Sequence, residues 1–110
     1  MATKTPDRIH FVSRFKDRGT RGHVEVGMGF FTTEAWSVSE AAAQSVQEVW
    51  LHDRKGAAAW DGGAVVERTP IRLEGKGRPN RWRFLIRRPN VLVAPQWPGD
   101  VCGGPEKAYV

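Results

Sequence analysis

Arginine fills positions 81, 83 and 87 of this chain, while Trp82, Phe84 and Ile86 fill the parity between them. The run Arg8-Ile9-His10-Phe11-Val12-Ser13-Arg14-Phe15-Lys16 repeats the pattern. Side chains alternate faces along a strand, so each run predicts a strand with one apolar side and one basic side. With both strands in one sheet, one face buries Ile9, Phe11, Phe15, Trp82, Phe84 and Ile86. The opposite face presents Arg8, His10, Arg14, Lys16, Arg81, Arg83 and Arg87.

The remaining elements follow from local signals. Residues 1–7 read as a loose leader. His23 to Thr32 reads as a second strand, joined to the first by the turn Asp17-Arg18-Gly19-Thr20-Arg21-Gly22 in an antiparallel hairpin. Ser37-Val38-Ser39-Glu40 fits a capping box, with Trp36 placed as a hydrophobic staple. A helix is predicted from Val38 to about Arg54, with Val38, Ala42, Val46 and Val49 on its buried stripe and Gly56 as its C-cap.

Ala57 to Val66 reads either as a further helical turn or as a short hairpin at Asp61-Gly62, and the flanking β-formers favour the hairpin. Strands follow at about Ala64 to Glu74, where Pro70 argues for an edge or a break, and at Arg81 to Arg88. The tail from Pro89 to Val110 reads as extended, with Trp97 docked and a short strand at Val91 to Ala94. The expected fold is therefore α+β: a small antiparallel sheet in ββαββ order, with one amphipathic helix on one face and an extended Pro/Gly-rich tail. Its 110 residues suit a single domain spanning 1–110.

The net charge of +5 conceals segregation. Residues 1–21 carry six basic and two acidic side chains, and residues 22–67 carry two and seven. Residues 68–88 carry eight basic side chains against one acidic. With Glu40, Glu48 and Asp53 on the helix, the two signs would divide between the two sides of the molecule. No apolar run approaches the roughly 20 residues of a membrane span, and the first six residues lack a signal-peptide core. The single cysteine, Cys102, has no partner for an intrachain disulfide, which fits a cytoplasmic setting.

The basic face is the candidate site. Arg8, His10, Arg14, Lys16, Arg68, Arg72, Lys76, Arg78, Arg81, Arg83 and Arg87 would contact phosphates, because guanidinium forks match phosphate oxygens and stay charged. The expected partner is DNA or RNA, or an acidic surface of a nucleic-acid-handling protein, and the expected role is non-enzymatic. His10, His23 and His52 show no metal-ligand spacing, so neither metal nor cofactor is expected. Were His10 and His23 adjacent across the first hairpin, they would form the acid and base of a small ribonuclease. Trp36, Trp50 and Trp82 are expected in the core, and Trp60 and Trp97 in core or tail packing. In size, element order and basic surface the chain is similar to some phage-encoded anti-CRISPR proteins. That resemblance implies a protein-directed inhibitor and carries over no individual residue.

Overall fold

A computed structural model describes residues 7–14, 16, 18–19, 22–75, 77, 79–91, 94–98 and 107–109. Among these, seven strands and one short helix follow in the order β1 (Arg8–Val12), β2 (Val24–Gly27), β3 (Phe30–Trp36), α1 (Glu40–Ser45), β4 (Glu48–His52), β5 (Ala59–Arg72), β6 (Asn80–Arg87) and β7 (Lys107–Tyr109). They form one mixed sheet in the spatial order β2-β3-β6-β5-β4-β1-β7, with β1 parallel to β4 and the other neighbours antiparallel. The expected antiparallel ββαββ arrangement is thus overturned.

Three local readings explain the difference. The predicted helix ends at Ser45, and Val46 already has extended backbone. The stretch from Glu48 to His52 forms a strand buried at Val49, Trp50, Leu51 and His52. A short apolar run has no period that separates a buried strand from a buried helix, and here tertiary pairing on both sides decides. The helix is capped at Ser39, whose hydroxyl accepts the Ala42 amide at 3.1 Å, rather than at Ser37. At six residues it would not persist alone. It is held by burial of Ala42 and Ala43 and by Arg68, whose Nη1 donates to the carbonyls of Ala43 and Gln44.

The predicted second strand folds back on itself. Gly27, Met28 and Gly29 all have positive φ, so β2 and β3 form their own hairpin and β1 pairs elsewhere. Ala57 to Val66 holds no hairpin, because β5 continues through Asp61-Gly62-Gly63 for 14 residues. Pro70 lies where β5 extends beyond β4, so its missing N–H deprives no central ladder.

The two predicted alternating runs pack as expected on their apolar parity. Ile9, Phe11, Trp82, Phe84 and Ile86 share one core with Phe31, Val46, Val49 and Leu51. The sheet curls strongly: Phe11 on β1 and Trp36 at the end of β3, four places apart in the strand order, stack at 3.9 Å between ring centres. The core lies inside this curl, with α1 packed into it. Trp97 docks as expected, and the Pro95 carbonyl accepts the Ala59 amide at 2.9 Å.

Two consecutive glycines make the middle of the sheet possible. A Cβ on Gly62 would stand 2.3 Å from the Trp50 ring and 2.5 Å from the Val49 carbonyl oxygen. One on Gly63 would meet the Arg87 carbonyl oxygen at 2.1 Å. Both residues have φ near +150°, a conformation that disfavours side chains. Gly63→Ala is expected to cost at least about 3 kcal/mol, since rigid backbone must move. Gly77→Ala, in open space, should change stability by less than about 1 kcal/mol. Urea unfolding of the two variants checks this, and equal midpoints would contradict it.

Candidate nucleic-acid interface

Residues paired across a ladder point to the same face of a sheet. The registers Arg8↔Glu48, Glu48↔Ala64, Ala64↔Arg87 and Arg87↔Phe30 therefore set five side chains in one row across the outer, non-core face. The row reads Arg8, Glu48, Ala64, Arg87, Phe30. Ala64 is the smallest, and it stands between a carboxylate and a guanidinium. In the next row Trp50 lies opposite Gly62. The hollow this produces is a cleft of about 640 Å³ lined by Glu48, Trp50, Gly63, Ala64, Arg87, Arg88, Pro89 and Asn90. The Trp50 indole N–H donates to Glu48 Oε1 at 2.9 Å, which fixes the carboxylate at the cleft wall.

The basic residues expected on one open face have separate fates. Arg81 donates to the Ala35 carbonyl, and Arg83 donates to Glu34, both on β3. Arg68 lies on the core side of the sheet, where it closes the helix end. Arg72 pairs with Glu74 and Asn80. Arg8, Arg14, Lys16 and Arg87 are exposed, and among the described residues none of them has an ion-pair partner. Lys76, Arg78, Phe15 and Cys102 lie outside the described residues. The expected division of charge between two sides of the molecule is not found, because Glu25, Glu34 and Asp61 pair with arginines and Glu48 stands in the row with two more.

His10 is 2% exposed and leaves the surface altogether. Its Nδ1 lies 2.8 Å from His52 Nε2, while His52 Nδ1 lies 2.9 Å from the Ala57 carbonyl oxygen. Only an N–H can serve that carbonyl, so His52 Nε2 accepts and His10 Nδ1–H donates. The Trp97 ring closes over the pair edge-on, 5.1 Å from the His52 centre and 6.2 Å from His10, with Lys55 Nζ above the indole. Burial, the His52 ring and Arg8 together lower the His10 pKa to about 4. Burial also lowers that of His52, against the Ala57 carbonyl, which raises it.

His23 lies in a different cluster, so the two histidines are not neighbours across a hairpin and the ribonuclease geometry is absent. Its Nε2–H donates to Asp61 Oδ2 at 2.7 Å, and its ring stacks on Phe31 at 4.7 Å. Arg88 completes this cluster, and sequence reading passed over it. Its Nε and Nη2 hold Asp61 at 2.8 and 2.7 Å, its other contacts reach Glu25, and its guanidinium carbon lies 4.9 Å from the Phe31 ring centre. Burial alone would raise the Asp61 pKa, but hydrogen bonds from Arg88, His23 and the Gly62 amide hold it below the usual value. The bonds to Asp61 and then Glu25 raise Arg88 above its own, against burial, which lowers it. His23, Glu25 and Asp61 are close enough to share a metal ion, yet the Arg88 guanidinium already ion-pairs with both carboxylates and would repel a cation placed between them.

Among the described residues no helix is long and apolar enough to cross a membrane. Comparison with known proteins gives no match to a family model, to a curated protein or to a solved structure. Of the three features behind the likeness to anti-CRISPR proteins, size, element order and basic surface, the ββαββ order is not found in the fold.

The His10–His52 pair makes stability depend on pH. Unfolded imidazoles bind protons near pH 6.5, before the folded ones do, so stability is complete above 6.5 and falls as the pH drops toward 4. Between pH 7.5 and 5 the urea-unfolding free energy should decrease by about 1–2 kcal/mol. His10→Phe should flatten that dependence, and an unchanged slope in the variant would contradict the assignment.

Proposed function

We propose that the protein is a non-enzymatic nucleic-acid-binding module whose outer sheet face meets the phosphate backbone. One observation carries this reading: Arg8 and Arg87 lie in one cross-strand row, exposed and without ion-pair partners among the described residues, while the neighbouring arginines are spent on internal bonds. Side chains with internal partners hold the fold, and those without them are available to a polyanion. Two strands, β4 and β5, separate the two guanidinium-bearing positions, a span of roughly 14 Å across three ladders at the usual strand spacing. That span suits adjacent phosphates of a single strand tracked along a positively charged surface. Arg14 and Lys16, also exposed, add to the positive field.

Titration of labelled single-stranded DNA, duplex DNA and RNA across a salt series tests the proposal. Affinity should fall steeply as salt rises, and Arg8→Ala with Arg87→Ala should weaken binding at least tenfold at about 50 mM salt. The double variant should also reduce the slope of log affinity against log salt by roughly 1.5 to 2, the release of two phosphate contacts. Arg83→Ala should leave that slope nearly unchanged. Absence of binding at low salt, or affinity indifferent to salt, would overturn the reading.

A further inference from the structure

We infer that the cleft over Ala64 is a nucleobase pocket selective for bases that carry an exocyclic amine: cytosine, adenine or guanine rather than uracil or thymine. The inference rests on the nucleic-acid reading of the outer face and assigns a ligand to one place on it.

About 640 Å³ falls within the range of small-molecule sites and accommodates a nucleotide. The floor is backbone and methyl, from Gly63 and Ala64, so a flat ring can approach the sheet closely. The walls carry opposite charge. Glu48 and Arg87 flank Ala64 in the same row, with Cα atoms about 10 Å apart across two ladders. A nucleotide has the matching polarity, with an anionic phosphate at one end and a hydrogen-bonding base edge at the other.

Glu48 decides which edge. The indole N–H of Trp50 already occupies part of Oε1 and holds the carboxylate in place. An ionised carboxylate only accepts hydrogen bonds, so its remaining lone pairs require an N–H from the ligand. The exocyclic amine of cytosine, adenine or guanine supplies one. Uracil and thymine offer only a ring N3–H set between two carbonyl oxygens, and those oxygens meet the carboxylate with repulsion. Asn90, at the rim, offers both donor and acceptor to the rest of the edge. Trp50 itself is only 5% exposed, so it forms a wall and an anchor for Glu48 rather than a stacking platform. An unstacked base is needed to enter, which makes the pocket a feature for single strands.

Free CMP and UMP are suitable probes, since they share charge and sugar and differ at the base edge. Shifts of the Gly63 amide and the Trp50 indole N–H in two-dimensional NMR report occupancy. CMP should bind roughly tenfold more tightly than UMP, the discrimination of one good base contact. Glu48→Gln, whose amide can both donate and accept, should bring the two within about twofold. Ala64→Phe fills the hollow and should remove both shifts. Equal affinities for CMP and UMP in the native protein, or shifts that survive Ala64→Phe, would overturn the inference. Salt-dependent binding of oligonucleotides without any CMP shift would defeat the pocket and leave the phosphate-binding reading intact. CMP binding without oligonucleotide affinity would do the reverse.

Discussion

The Gly62–Gly63 pair in β5 is the constraint on which the rest of the structure depends. Side chains at either position would collide with the Trp50 ring or with the β6 backbone. Without them, β4 and β6 close on β5 from both sides, and the curled sheet brings Phe11 to Trp36 around the core. The same absence of side chains gives the outer face its hollow. Gly62 lets the indole lie flat, the indole holds Glu48, and Ala64 leaves the space between Glu48 and Arg87 open. Packing and candidate site thus share one cause.

Charge is handled in two ways. Some arginines complete the fold by satisfying groups that would otherwise be buried without partners. Arg88 offsets the burial of Asp61, where loss of the guanidinium would strand a carboxylate. Arg68 takes two carbonyls at the end of a helix too short to hold its own last turn. Arg83 and Arg81 tie β6 to β3. A basic composition therefore overstates the surface available to a polyanion, and among the described residues the row from Arg8 to Arg87 is one place where positive charge is left over, with Arg14 and Lys16 outside it.

The alternating runs 8–16 and 81–88 were legible as strands because period two has one simple explanation; the first strand stops at Val12, and Ile9, Phe11, Trp82, Phe84 and Ile86 reach the core as that period requires. A serine cap was legible near the helix start, although it was read at Ser37 and forms at Ser39, but the helix end was not legible. Val46 to His52 carries apolar residues at spacings compatible with either element, and the strand forms because β1 and β5 supply partners from distant sequence. Pairing of β1 with β4 and β7 is likewise invisible to local signals. The site was half legible. Arg8 and Arg87 follow from parity. Glu48 and Ala64 do not, since they join the row only through register. Arg88 sits next to Arg87 in sequence but on the opposite parity, and its partners Asp61 and Glu25 are 27 and 63 residues away.

The central claim is that a single strand lies along the outer row with a base in the hollow over Ala64. Ultraviolet crosslinking of a cytosine-containing single-stranded oligonucleotide, followed by mass spectrometry of the linked peptides, tests it most directly. The account predicts adducts concentrated within residues 48–50 and 87–90. Adducts confined to the loop between β5 and β6, or to the helix side around Arg68, would contradict it.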